Sequence, residues 1–457
     1  NDVHSQFNRL ASIQTYLLEH KKANDLLLDA GDFHDFKDIM ITGTKGKAGK
    51  ALLKHMGYDA ICVGNNEGYS GIECLSEMSF DDVPLLSVNL TYLNEEELPF
   101  LKKSCIITKD NLRFLIIGIT PYYNLENNDG YNAFFKLENL KSNNPIQCVK
   151  NEKSKYENQY DFVILLSHLG ITYDQKIARE IDKIDIIIGG HSHSLMEEPL
   201  VVNNCIIHQA GAYAQHLGVL NLSIDENKIT HYEGKCIEIH ETENTDFLAL
   251  REEKTQEARV NMSQTIRVSH ELDFDPIREN RTINFICDAL YNEVKCDFAM
   301  MNHGIISYPL TQAISELSLL ESCPSPLNPT LIEIYGHQIM QAFQDSFNEE
   351  LCLSEGRGPG FRGLFVGALS VSYNVRVHQS PFSITINDEP IDENKRYRVM
   401  TSDYLQRGSG YKSLKVDNGD SIFFNGYIRD VIRRNINNND LINQSKIKRI
   451  VKVFDNN

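Results

Sequence analysis

"IDIIIGGHSHS", from Ile184 to Ser194, is a β-branched run that breaks at two glycines and releases two imidazoles, His191 and His193. A short apolar run bounded by glycines has the pattern of a buried strand in a layered sheet. The same arrangement recurs upstream. "NDLLLDAGDF" (Asn24–Phe33) ends beside Asp32, "YDAICVGNNE" (Tyr58–Glu67) beside Asn65, and "DFVILLSHLG" (Asp161–Gly170) beside His168. Helix-favouring stretches separate these runs up to about Ile239, so the N-terminal part reads as a layered α/β domain. In such a sheet the residues just past each strand gather at one carboxyl edge, where ligands bind. Asp2 and His4 join that edge if the chain preceding Asn1 forms one more strand.

Composition sets the bounds. A chain of 457 residues, 41% hydrophobic and 24% charged, is too long for one core and fits two domains. A formal charge of -18 argues against a nucleic-acid polymer as partner, which needs a basic face. No window approaches a membrane-spanning apolar stretch. The ten cysteines contain no CxxC pair, which favours reduced thiols and a cytoplasmic location, with an exported or surface protein as the alternative. Residues 241–269 turn polar and helix-favouring without Gly or Pro and read as a linker helix between domains at 1–240 and 270–457. The second domain also reads as α/β, with strands expected at "LFVGALSVSYNV" (Leu364–Val375) and "RYRVMTSDYL" (Arg396–Leu405). Asn143–Tyr160 reads as an exposed excursion, and "EGRGPGFRG" (Glu355–Gly363) as a glycine-rich loop. "GTKGKAGKAL" (Gly43–Leu52) lacks the spacing of a phosphate loop and reads as part of a helix.

Asp2, His4, Asp32, Asn65, His168, His191 and His193 supply nitrogen and oxygen ligands from five turns, enough for two metal ions. Carboxylate, imidazole and an Asn carbonyl without thiolate suit Mn²⁺, Fe²⁺, Co²⁺, Ni²⁺ or Zn²⁺, and Mg²⁺ less well. Two carboxylates against two divalent ions leave the site about two charges positive, able to hold a phosphate and to acidify a water.

The motifs "NDVH", "GDF", "GNNE", "SHLG" and "GGHSHS", followed by "HQAGAYAQHLGVLNL", resemble the calcineurin-like metallophosphoesterase domain of the 5′-nucleotidase family. The second half resembles that family's C-terminal substrate-binding domain. The resemblance implies a four-layer α/β/β/α sandwich joined to a second α/β domain. It implies one metal held by Asp2, His4, Asp32 and His193, and another held by Asp32, Asn65, His168 and His191. The implied reaction is in-line attack on phosphorus by a metal-activated water, on a small, nucleotide-like phosphorylated substrate.

This chain departs from the family at the phosphoryl-contacting turn, usually GNHEFD. Asn66 and Tyr69 stand where a His and an Asp assist the leaving group, so Asn66 is the candidate catalytic position. Positioned general acid catalysis is worth roughly 10² to 10⁴ in rate. Its loss falls hardest on an alkoxide leaving group and least on a phosphate, whose second pKa is about 6. The expectation shifts to phosphoanhydrides such as UDP-sugars or dinucleotides, or to activated diesters. His34 is a candidate replacement acid, and a catalytically weak pseudoenzyme that uses its cleft for binding or sensing is the runner-up. In the second domain Ser307 and Ser370 stand where the family is basic. Tyr404 aligns with one aromatic of the nucleobase clamp; Phe361 and Phe365 both lie close to the second ring's position, neither in register, with Phe361 the candidate, and Arg357 and Arg362 are the candidate replacement cations.

Overall fold

The computed structural model describes the chain except residues 37, 80–82, 123–134, 136, 137, 241, 243, 359 and 452–457. It divides into two compact units. One comprises residues 1–124 and 138–261, and the other holds residues 262 onward.

In the first unit, β1 (Leu28–Asp29), β2 (Ala60–Cys62) and β3 (Leu85–Leu86) make a parallel three-stranded sheet, and β4 (Leu90–Tyr92) pairs with β7 (Leu140–Ser142). A second sheet uses β5 (Ser104–Lys109), β6 (Leu112–Ile119), β8 (Phe162–Ser167), β9 (Ile186–Gly189), β10 (Leu200–Val202) and β11 (Cys205–His208) in the order β10-β11-β9-β8-β6-β5. Its four inner strands are parallel. A long hairpin, β12 (His216–Asp225) with β13 (Lys228–Glu238), follows.

Side-chain alternation explains the layering. Phe114, Ile116, Phe162, Ile164, Leu166 and Ile186 point to one face and bury against Ala60, Cys62 and Leu86 of the first sheet. Leu115, Ile117, Val163, Leu165 and Ile187 point to the other and bury Val149, Ile177, Ala178 and Ile181. Those last four belong to, or directly follow, helices Pro145–Lys155 and Ile171–Glu180. Strands buried on both faces require the near-continuous apolar runs that the sequence shows.

The segment read as an exposed excursion, Asn143–Tyr160, is instead mostly helix. Asn144 caps it by accepting the Gln147 N–H, and Pro145 occupies the first turn, where its missing N–H costs nothing. The stretch at Gly43–Leu52 leads into helix Lys47–Met56, which begins at Gly46 in a left-handed conformation. Of the segment read as a linker helix, residues 241 and 243 lie outside the described residues. The helix runs Thr245–Met262, with the Asn244 side chain accepting the Phe247 N–H at its start. It yields to a strand, Thr265–Leu272, where β-branched residues return.

The second unit folds around one core. Its main sheet holds five strands, and Phe298–Asn302 runs parallel to Arg396–Ser402, which in turn lies antiparallel to Pro329–Tyr335. Of the two strands expected from sequence, "LFVGALSVSYNV" resolves into Leu369–Val371 and a new strand from Val375, whereas "RYRVMTSDYL" is strand to Ser402 and helix from Asp403. No described helix is long and apolar enough to cross a membrane.

A buried ion pair fastens the end of the chain. Arg449 and Asp288 are both fully buried, with Nη2 donating to Oδ2 at 2.6 Å, and Arg449 Nη1 also reaches the Val371 and Asn284 carbonyls. Removing one partner strands a charge in low dielectric. Arg449→Leu is expected to destabilise this unit by about 3–5 kcal/mol in urea unfolding, and Arg449→Leu/Asp288→Asn to recover much of that loss.

Candidate metal centre

The centre forms where five chain segments end at one edge of the first unit. Asn1–Ser5 lies along Gly31–Phe33 through Asp2 N–H to Gly31 O (2.9 Å), His4 N–H to Asp32 O (3.0 Å) and Ser5 N–H to Phe33 O (3.2 Å). This ladder brings Asp2 and His4 to Asp32, which stands three residues past β1. Asn65 opens the short helix after β2, His168 directly follows β8, and His191 and His193 follow β9. Asp2, His4, Asp32, His191 and His193 all have left-handed backbone, with φ between 47° and 71°. Such residues cost on the order of 1–3 kcal/mol each and cluster at functional sites.

Glycines make the approach possible. A Cβ on Gly190 would lie 2.9 Å from His168 Nδ1 and 3.0 Å from Asp2 Oδ2, and one on Gly64 would lie 2.2 Å from Asp32 Oδ1. Glu67, given no role from sequence, holds two loops together. Its buried carboxylate accepts the N–H groups of Gly64 (2.8 Å), Asp32 (3.0 Å) and Phe33 (2.9 Å).

The ligand atoms fall into two overlapping groups, Asp2–His4–His193 and Asp2–Asp32–His168, each within 4.8 Å. Asp2 is the carboxylate common to both, whereas the family pattern makes Asp32 the shared one; Asp32 Oδ2 is nevertheless 3.7 Å from His4 Nε2. His4 and His193 face each other, Nε2 to Nε2, at 3.1 Å. Asn65 Oδ1 lies 3.0 Å from His191 Nδ1, and the His191 and His168 rings are 5.2 Å apart. Asp2, His4, Asp32, His168 and His193 thus share the cluster, and Asn65 pairs with His191 beside it.

The donor set fits divalent cations. His168 Nδ1 is 2.7 Å from the Ala30 carbonyl, which orients Nε2 into the cluster, 3.3 Å from Asp32 Oδ2 and 3.8 Å from Asp2 Oδ1. There the buried Nε2 makes no hydrogen bond. A histidine fixed through one nitrogen, with the other turned onto two carboxylates, is oriented as a metal ligand. Burial opposes charge on His168, but Asp32 and Asp2 outweigh it and raise its pKa to about 10. His193 is also raised, chiefly by its hydrogen bond to Asp2, while burial lowers His4 and brings His191 down to about 4. Burial would raise the Asp32 carboxyl, yet His168 and His4 hold it far below the usual range. Without metal, a proton on His168 offsets part of the charge of the two carboxylates.

Asn66 is 3% exposed and is turned onto Asp32, with its N–H on Oδ1 at 2.8 Å and its side-chain Nδ2 on Oδ2 at 2.6 Å. His34 is fully buried, with Nε2 on Ser70 Oγ at 2.7 Å and Nδ1 beside Glu67.

In the second unit Phe361 and Tyr404 do meet, but they stack on each other with ring centroids 4.2 Å apart. A base sandwiched between them would need roughly 7 Å, twice a van der Waals contact. Arg357 is exposed and paired with Glu355 of its own loop, and Arg362 Nη1 donates to the Phe361 carbonyl. Ser370 is buried with Oγ 2.9 Å from His303 Nε2, so the two sides of that contact are neutral: burial lowers His303 to about 4.

This fold and donor set define a metal-dependent phosphoester hydrolase. Residues 1–195 match the model for the calcineurin-like phosphoesterases, and residues 262–415 match that for the 5′-nucleotidase C-terminal domain. The chain belongs to the 5′-nucleotidase family of calcineurin-like phosphoesterases. An uncharacterized metallophosphoesterase of Bacillus subtilis, YunD, is 27% identical over 94% of this chain and 96% of its own. A 5′-nucleotidase of Diplobatis ommata is 26% identical over 87% of this chain and 76% of its own. In fold, the chain is similar to the Haemophilus influenzae NAD nucleotidase (TM-score 0.62, 18% identity, 98% of this chain and 92% of that one). It is similar also to a Thermus thermophilus 5′-nucleotidase precursor (TM-score 0.57, 18% identity, 99% and 96%).

Because the His168 pKa is raised to about 10 in the metal-free protein, a cation must displace that proton at neutral pH. Mn²⁺ affinity is therefore expected to climb with pH up to about 10, with about one proton released at this group on binding at pH 7. Calorimetry in buffers of differing ionisation enthalpy measures the release. Uptake without proton release would contradict the arrangement.

Proposed function

We propose that this chain is a dinuclear metal phosphohydrolase that favours substrates with a phosphate-like leaving group over nucleoside monophosphates. Asp2, His4, Asp32 and His193 hold one ion, and Asp32, Asn65, His168 and His191 the other, with Asp2 close to both. Bound divalent ions of the Mn, Fe, Co, Ni or Zn type supply charge that neutralises phosphoryl oxygens and acidifies water.

The observation that carries the substrate preference is the pose of Asn66. Its amide donates to both oxygens of Asp32, one through the backbone and one through the side chain. It therefore holds the Asp32 carboxylate ionised and oriented, and it has no proton to give a departing alkoxide. His34 does not compensate, being buried against Ser70 and Glu67. A leaving group that departs as a phosphate needs little protonation, which favours anhydrides such as UDP-sugars or dinucleotides, or activated diesters.

The self-stacked Phe361–Tyr404 pair supports recognition that leans on phosphate rather than on a base held between two rings. Ten free cysteines support a reducing, cytoplasmic compartment.

Asn66→His restores a proton donor at this turn. The expected result is a rise of roughly 10² or more in kcat/KM on AMP, with a much smaller change on ADP or UDP-glucose. An equal change on all three would refute the leaving-group argument.

A further inference from the structure

We propose that Asp174, Gln209 and Ser192 form a positioning relay, buried at Asp174 and Gln209 and reaching the surface at Ser192, that sets the turn bearing His191 and His193 and so controls how tightly the centre holds its cations. The inference rests on reading the cluster as a metal centre.

Asp174 lies on helix Ile171–Glu180 and is fully buried. Its Oδ1 accepts from Ser167 Oγ at 2.5 Å, and its Oδ2 accepts from Gln209 Nε2 at 3.1 Å. Gln209, 1% exposed, passes the chain on, its Oε1 accepting from Ser192 Oγ at 2.9 Å. Ser192 Oγ in turn accepts the N–H of Ile171, at the start of the same helix, at 3.1 Å.

The circuit touches each strand end that delivers a histidine from this sheet. Ser167 precedes His168, Ser192 lies between His191 and His193, and Gln209 directly follows β11. The Gln209 carbonyl also accepts the N–H of Met196, which fastens the far end of the turn.

Two observations separate this from ordinary packing. A helix can bury against a sheet through apolar residues alone, and Ile177 and Ala178 already do so here. A carboxylate buried on neutral hydrogen-bond partners costs stability, so its presence needs a reason other than packing. Second, Gly189 is open for it: a Cβ there would lie 2.4 Å from Gln209 Nε2 and 2.5 Å from Asp174 Oδ2. The two glycines before His191 thus have separate tasks. Gly189 admits the relay beneath the turn, and Gly190 admits His168 and Asp2 above it.

Groups that orient metal ligands typically change affinity by about 10–100-fold when removed. The test is calorimetric titration of the metal-free full chain with Mn²⁺, alongside the electron paramagnetic resonance spectrum of the bound ion and a thermal melt. Gln209→Met keeps the length and removes both hydrogen bonds; it is expected to weaken Mn²⁺ binding about 10–100-fold and alter the spectrum. Gln209→Glu sets two carboxylates against each other and is expected to weaken binding, although its extra negative charge alone would tighten it. Gln209→Glu/Asp174→Asn restores a donor facing an acceptor at every link and is expected to return the wild-type affinity and spectrum.

Wild-type affinity in Gln209→Met overturns the relay, as does a double variant no better than Gln209→Glu. If Gln209→Met does not fold, the comparison of Gln209→Glu with the double variant decides alone. A wild-type chain that takes up no Mn²⁺ overturns the metal reading itself, an outcome distinct from the others.

Discussion

Two carboxylates that cannot escape each other organise this protein. Asp2 and Asp32 are buried and aim at the same imidazole nitrogen of His168, from 3.8 and 3.3 Å. Like charges so placed in low dielectric demand positive charge between them. Backbone ladder bonds fix one carboxylate to the strand that bears the other, and Glu67 ties the next loop to the same point. Side chains cannot relax the repulsion without undoing the sheet edge. The remaining features follow from that constraint: left-handed backbone at five of the candidate ligands, glycines where Cβ atoms would collide, and a His168 raised to about 10 by the two carboxylates.

Around this core, several polar and aromatic groups are satisfied within the protein itself. Asn66 serves Asp32 and leaves no acid in the turn. In the second unit, Ser370 is satisfied internally by His303. Phe361 and Tyr404 satisfy each other. These internal contacts are the ground on which the proposed preference for a substrate recognised through its phosphates rests.

The sequence carried the architecture of the centre because strand ends are local signals. An apolar run closing on Gly and His can be read without coordinates, and five of the candidate ligands cluster, with Asn65 and His191 paired beside them. Other features were illegible for physical reasons. Asp174 sits on an amphipathic helix where an acidic residue ordinarily faces water, and only the fold turns it inward under Gly189. Gln209 was visible within "HQAGAYAQHLG", but its partners lie 17 and 35 residues away in the chain. The self-stacking of Phe361 on Tyr404 depends on how a glycine-rich loop closes, which residue type does not specify. Asn143–Tyr160 was misread because polar composition outweighed the Asn-Pro start signal and the single buried face around Val149.

The central claim is that this metal centre works without a leaving-group acid. A hydrolysis screen of the wild-type chain tests it most directly, crossing Mn²⁺, Co²⁺, Ni²⁺, Zn²⁺ and Mg²⁺ with AMP, ADP, UDP-glucose, a dinucleotide and a 2′,3′-cyclic nucleotide. The account predicts metal-dependent turnover with kcat/KM on anhydrides or diesters well above that on AMP. AMP as the best substrate would contradict it, and so would silence throughout with metals bound, which is the behaviour of a binding protein.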